Sequence, residues 1–161
     1  MRLVTKNMTT KEIVIKEKNY SLEKIKDMTE MSEILKSHII KHKLYTPISG
    51  RNYVHVEGWQ FAGGLLGLTP LVVSIQDLSK TGEIKYMATV EIINKLGVVI
   101  GRGFSICSNK ETKKKSFDEY AILSMAQTRS LGKAYRNIIG WVIKMAGYES
   151  TPAEEIPKEK T

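Results

Sequence analysis

Apolar residues recur with a helical period in residues 21–43 and 116–140, and the stretch between them is rich in strand-forming residues. Between residues 21 and 43, Ile25, Met28, Leu35 and Ile39 recur at helical spacing, which predicts an amphipathic helix that Ser21 would cap. The stretch from residue 116 to residue 140 has the same period and predicts a second, longer helix closed by a glycine.

The middle of the chain is rich in valine, isoleucine, threonine and aromatic residues, as strands are. A compact apolar unit, GWQFAGGLLGLTP, predicts a short helix ending at Gly67. Thr81-Gly82 and Asn94–Gly97 are turn sequences that separate the last three runs, so these runs should form an antiparallel meander. The predicted strands are Tyr53–Glu57, Leu71–Leu78, Ile84–Ile93 and Val98–Cys107.

These elements predict one α+β domain, with a three- to four-stranded antiparallel meander followed by a long helix packed across it. The core is a β-β-β-α unit, and an additional helix precedes it. Residues 1–20 are expected to be partly flexible, with a possible short strand in EIVIK at residues 12–16. Residues 21–148 form the domain, and residues 149–161 have the composition of a disordered tail.

Charge and cysteine content narrow the class of protein. The formal net charge of +8 permits binding to nucleic acid or to an anionic membrane surface, and by itself it indicates neither. The amino-terminal residues have no signal-peptide pattern, and no run of about 18 apolar residues exists, so we expect no membrane association. A single cysteine, Cys107, cannot form an internal disulfide, which suits a reducing cytoplasm.

The most specific feature is a row of cations on the second predicted helix. Arg129, Lys133 and Arg136 are four and three residues apart, so they share one helix face. No Asp or Glu occurs from residue 121 to residue 145, whereas a solvated helix usually carries both signs of charge. We therefore expect phosphate contacts here; the alternative is an ordinary solvated face.

Other side chains are candidates for the same nucleic-acid channel. They are cationic residues before the long helix and on the predicted strands, together with an aromatic residue that flanks the cation row and could stack on bases. Trp59 and Phe61 are better explained as core residues. The candidates are Lys113, Lys114, Lys115, Arg102, Lys85 and Tyr135.

Enzymatic and metal chemistry have little support in the sequence. His38 and His42 are one helical turn apart and could share an ion, yet no cysteine lies near them. The glycine-rich segments lack the Lys-Ser/Thr ending of a phosphate-binding loop, and the acidic residues are scattered. We expect a protein that is not an enzyme and needs no metal or other cofactor.

The order of elements from residue 53 onward resembles that of a known family. A strand ending at Glu57-Gly58, a helix ending at Leu66-Gly67, a meander and a helix closed by Gly140 resemble the single-strand annealing domain of the Rad-fifty-two type. The segments SMAQTRSLGKAYRNIIG and AGYESTPAEE are more specifically similar to small proteins of phages and other mobile elements. Lys133 and Arg136 match two cations of the family, and a third, expected just before them, is Gly132.

This resemblance implies sequence-independent binding of single-stranded DNA in a cationic groove. It also implies a homo-oligomer, either a ring or an open filament, that anneals strands during recombination, repair or replication of a phage or mobile element. The alternative is a structural or assembly protein of a virus or plasmid, in which the positive charge is incidental.

Overall fold

The computed structural model of the protein describes residues 22–157. Ser21, the possible strand at residues 12–16 and the rest of the predicted amino-terminal segment lie outside the described residues. In chain order the elements are α1 (Leu22–His42), β1 (Tyr45–Ile48), β2 (Arg51–Val54), α2 (Val56–Leu65), β3 (Thr69–Asp77), β4 (Lys85–Ile93), β5 (Val99–Ser108), α3 (Glu119–Met145) and a short 3₁₀ helix (Ala153–Glu155).

Strands β3, β4 and β5 form the predicted antiparallel meander, and α3 packs across one face of it. Along the central strand β4, Tyr86, Ala88, Val90 and Ile92 are buried, and the residues between them are only partly buried. This alternation places the first set beneath α3. The predicted α+β architecture, with a meander, a long helix across it and an additional amino-terminal helix, is confirmed.

Helix α3 lies unusually close to β5 because β5 carries glycine where the two backbones meet. A side chain at Gly103 would place its Cβ 2.8 Å from both the Cα of Ala134 and the carbonyl oxygen of Ser130. The Ser130 hydroxyl, also buried, donates a 2.7 Å hydrogen bond to the carbonyl oxygen of Ala88 on β4. The position of α3 on the sheet is therefore fixed by both sterics and hydrogen bonding.

Strands β1 and β2 form a separate two-stranded hairpin that the sequence did not predict as such. Ser49 and Gly50 both have positive φ, 50° and 78°, as the two central residues of a tight hairpin turn require. Pro47 lies in β1, opposite Asn52 of β2. Pro47 therefore lies within a strand of the hairpin, and Ser49-Gly50 forms its turn.

Helix α3 does not end at Gly140, as predicted, but continues to Met145. Ile139 has non-helical dihedrals (φ −119°, ψ 15°) and marks a kink at this point. Beyond the kink, Val142 and Ile143 are fully buried in the main core, so tertiary packing sustains the last turns. The same core contains Leu35 and Ile39 of α1 and Trp59 of α2, as expected for Trp59.

Residues 149–157 of the predicted disordered tail are folded against the domain. The Glu149 amide donates a 2.9 Å hydrogen bond to the carbonyl oxygen of Asn52 in β2. Pro152 is among the most deeply buried side chains, and the 3₁₀ helix follows directly. The predicted domain boundary at residue 148 is therefore wrong over this stretch; residues 158–161 lie outside the described part of the chain.

The sheet face away from α3 is exposed and largely apolar. Phe104 of β5 is 63 % exposed, and Leu71 of β3 and Ile106 of β5 are also exposed. Arg102 and Glu91 form an ion pair between β5 and β4 on this face.

Within residues 22–157, no helix has both the length and the apolar composition that crossing a bilayer requires.

Candidate nucleic-acid interface

The three cations of α3 that the sequence singled out, Arg129, Lys133 and Arg136, are named here the α3 cation row. The sequence led us to expect cations without acidic partners, and this is wrong for Arg129. Its side chain is held by hydrogen bonds inside the fold. Its guanidinium donates to both carboxylate oxygens of Glu111 at 2.8 Å, to the Ile106 carbonyl oxygen at 3.2 Å and to the Glu154 carbonyl oxygen at 3.3 Å. Arg129 therefore acts as a structural tie between α3, β5 and the segments that flank them.

The electrostatics of this tie are strong. Hydrogen bonding to Arg129 is the largest cause that lowers the pKa of Glu111 to about 2, and the same bond raises the pKa of Arg129. Lys114 also pairs with Glu111, since its Nζ lies 3.5 Å from the Glu111 carboxylate. The same Nζ lies 5.6 Å from the centre of the Phe117 ring, and the residue is buried. The prediction that Lys114 is available to phosphates is therefore wrong in this conformation.

Arg136 is also paired, but with the carboxy-terminal segment. Its Nη1 donates a 2.9 Å hydrogen bond to Glu155 Oε2, and about a third of the Arg136 side chain remains exposed. Desolvation is the largest influence on Glu155 and raises its pKa, against the attraction of Arg136, Lys133 and Arg129. Arg136 therefore holds an anion at a site that solvent reaches from one side.

Lys133 differs from both arginines. It is half-buried, and within residues 22–157 it forms no ion pair. Its positive charge, like those of Arg136 and Arg129, acts to lower the pKa of Glu155. Lys133 is thus the member of the α3 cation row with the least compensation.

Two depressions flank the carboxy-terminal segment. The larger, a cleft of about 710 Å³, lies between the β1–β2 hairpin, the loop after β5, α3 and residues 153–157. It brings Lys113, Lys114 and Arg129 together, with Glu57 and Glu111 among them. The smaller, of about 540 Å³, is lined by residues that include Arg136, Trp141, Lys144, Ser150 and Thr151. The segment therefore runs between the two depressions.

The remaining candidates lie elsewhere. Lys85 and Arg102 belong to the sheet face away from α3, so they are not part of the channel that was expected beside the cation row. Lys115 is exposed on the loop before α3 and does not line either depression. Tyr135 is 1 % exposed, packs against Gly63, and has a pKa raised by burial, so the expectation that it stacks on bases is wrong.

Metal chemistry gains nothing from the geometry. In the part of the chain that the structure describes, no three His, Cys, Asp or Glu side chains come together as ligands. His38 instead stacks on Phe61, with ring centres 3.7 Å apart and planes 4° apart, and its pKa is lowered, chiefly by desolvation. The histidine pair therefore has a packing role.

The residues that sequence reasoning missed are the acids that meet the α3 cation row. Glu111 lies 18 positions before Arg129, and Glu155 lies 19 positions after Arg136. The run Pro-Ala-Glu-Glu at residues 152–155, an acidic pair in a strongly cationic chain, is a signal that could have found Glu155, whereas Glu111 is a single acid within a lysine-rich loop. No family model matches the sequence, and neither does any curated protein.

Proposed function

We propose that the protein binds single-stranded DNA without sequence specificity through the α3 cation row. By holding strands extended, it promotes annealing in the recombination, repair or replication of a phage or mobile element. The resemblance to single-strand annealing proteins supports a homo-oligomer, a ring or a filament, as the working form. Phosphates contact the helix, bases face outward, and a complementary strand pairs with them; this mechanism uses no cofactor and no covalent step.

One observation carries the proposal: cations on a single face of α3 already hold anions. Arg129 binds a carboxylate through two parallel hydrogen bonds of 2.8 Å, and Arg136 binds another at 2.9 Å. A guanidinium recognises carboxylate and phosphate oxygens with the same fork of donors. Seven residues of helix separate these groups by about 10 Å along the axis, which gives the face the extent of a strand-binding surface rather than of a single ion site.

The test is a paired substitution with a matched control. Lys133→Ala combined with Arg136→Ala should weaken binding to an oligo-dT strand for every sequence tried. Because each lost phosphate contact removes about 0.7 from the salt slope of single-strand binding, the slope should fall by about 1.4. Lys36→Ala with Lys41→Ala, which removes two exposed charges from α1, is the control. Equal affinity and slope in the two double variants would refute the assignment.

A second function, assembly of a viral or plasmid structure, is favoured by the exposed apolar sheet face. Phe104, Ile106 and Leu71 are exposed there together, and such patches usually mark a protein interface. This function predicts concentration-dependent self-association and no salt-dependent gel shift with single-stranded DNA. Both functions predict self-association, so that measurement does not separate them. A gel shift with single-stranded DNA at two salt concentrations does, because only the DNA-binding function predicts a salt-dependent shift.

A further inference from the structure

We propose that the segment from Ser150 to Pro157, named here the acidic strap, is an internal competitor of DNA that covers part of the α3 cation row until a strand displaces it. The inference rests on the proposed function, because it assigns a regulator to the same site. On the strap, the Glu155 carboxylate accepts from Arg136, and the backbone carbonyl oxygen of Glu154 accepts from Arg129. Three features of the contact carry the proposal.

The first feature is a built seat for the strap on α3. A side chain at Gly132 would place its Cβ 2.9 Å from Cγ of Pro152, closer than Cβ atoms normally approach, and 3.0 Å from Cβ of Pro152, which is at the limit. Pro152 is fully buried there, and its ring cannot move away as a flexible side chain would. The glycine that replaces an expected cation beside Lys133 thus makes room for the residue that anchors the strap.

The second feature is what the seat presents to the helix. From Pro152, the chain carries Glu155 to a 2.9 Å hydrogen bond with Arg136. The backbone carbonyl of Glu154 accepts from Arg129 at 3.3 Å, and its carboxylate Oε1 accepts from the Val56 amide at the start of α2 at 3.0 Å. The strap therefore supplies a carboxylate to Arg136, the cation that a DNA backbone would use, and a carbonyl oxygen to Arg129, which Glu111 holds independently.

The third feature is that the docked strap leaves buried carboxylate oxygens without hydrogen bonds from residues 22–157. Glu154 Oε2 and Glu155 Oε1 are buried and have no hydrogen-bond partner in the described part of the chain. Burying such oxygens costs free energy, and desolvation accordingly raises the pKa of Glu155. A strand whose phosphates stay partly solvated can therefore replace the strap, because the released carboxylates regain water.

The experiment uses two variants of the full chain that loosen the strap by different routes. Gly132→Ala displaces Pro152 without any change of charge, and alanine is at the same time a better helix former than glycine. Gly140→Ala is its control, because a Cβ there meets Ser150 at an ordinary 3.6 Å. Glu155→Gln removes the negative charge that is paired with Arg136, and exposed Glu30→Gln on α1 is the control of equal charge change.

Fluorescence anisotropy with labelled oligo-dT at fixed salt measures the effect. Gly132→Ala and Glu155→Gln should each tighten binding about fivefold or more, and the two controls less than twofold. Adding Lys133→Ala and Arg136→Ala to Gly132→Ala should abolish the gain, since the freed cations are its source.

Hydrogen exchange gives a readout that does not depend on affinity. Saturating oligo-dT should speed exchange of the Glu155 and Ile156 amides, which donate to Pro152 and Ala153 carbonyls in the docked strap. If the wild type binds DNA but the loosened variants bind no more tightly, or the strap amides do not exchange faster, the strap proposal is overturned and the proposed function stands. If no variant binds even at low salt, the proposed function itself fails, and the strap proposal with it.

Discussion

Arg129 should contribute more to folding than to DNA binding, and Arg129→Ala tests this. The substitution removes both hydrogen bonds to the Glu111 carboxylate. It also removes the donor to the Ile106 carbonyl oxygen, which lies on the edge of β5. A carboxylate and a strand-edge carbonyl then lose their partner in a partly buried place.

The magnitude follows from the exposure of the pair. The Arg129 side chain is 19 % exposed and that of Glu111 36 %, so the ion pair lies between the surface and the interior. Exposed pairs contribute about 0 to 1 kcal/mol, and breaking a fully buried pair costs about 3 to 5 kcal/mol. We therefore expect Arg129→Ala to lower the free energy of unfolding by about 2 kcal/mol, discounted for solvent screening of Glu111.

Urea unfolding followed by circular dichroism measures this change, with Lys133→Ala as the control from the same helix face. Lys133 forms no ion pair in residues 22–157, so its replacement should change the free energy of unfolding by less than about 0.5 kcal/mol. Equal stability of the two variants would refute the structural role of Arg129.

The pH dependence of the same difference checks the cause. The pKa of Glu111 is lowered from 4.5 to about 2 in the fold, so its ionised form stabilises the native state. That contribution is complete above pH 4.5, where the unfolded chain is also ionised, and is lost as the pH falls towards 2. The stability gap between wild type and Arg129→Ala should therefore narrow between about pH 5 and about pH 3; a constant gap would exclude the Glu111 pair as its source.

Two further predictions concern packing and assembly. Gly63→Ala should destabilise the protein by about 1 to 3 kcal/mol, because the new Cβ would lie 2.7 Å from Cζ of Tyr135. At the adjacent Gly64 a Cβ would meet open space, so Gly64→Ala should be neutral or stabilising. Thermal unfolding of the two variants measures the difference. Phe104→Ser should weaken self-association measured by sedimentation, because it removes the most exposed ring of the sheet face. Leu96→Ser, at an exposed position in the turn between β4 and β5, should not weaken it. Equal loss in both variants would argue against a sheet-face interface.

The fold was largely predictable because its long elements have clear periods. Strand β4 is rich in strand-forming residues, with Lys85, Thr89 and Glu91 on the face away from α3, and the glycine-containing turns on either side of it indicate an antiparallel order. The hairpin β1–β2 was not predicted because its two strands have four residues each and one contains Pro47. Such short strands carry too few residues for a recognisable sequence pattern. The end of α3 was predicted too early because glycine favours helix termination. In the fold, the burial of Val142 and Ile143 outweighs this local preference at Gly140.

The candidate site was less predictable, because its charges are compensated by residues distant in sequence. The absence of acids from residue 121 to residue 145 is a correct observation about α3, and it indicated an unpaired cation row. In the fold, the loop after β5 brings Glu111 to Arg129, and the segment after α3 brings Glu155 to Arg136. Local composition does not contain these contacts, since they depend on tertiary structure.

The α3 cation row therefore divides into three roles along one helix face. Arg129, held by a carboxylate and two carbonyls, ties the fold together. Lys133 carries the least compensated charge, and Arg136 is paired with Glu155 of the acidic strap. Loss of binding in Arg129→Ala would thus not by itself locate DNA on the helix, because unfolding produces the same loss. Only Lys133 and Arg136 can report on the site directly, and Arg136 does so in full only when Glu155 has been released from it.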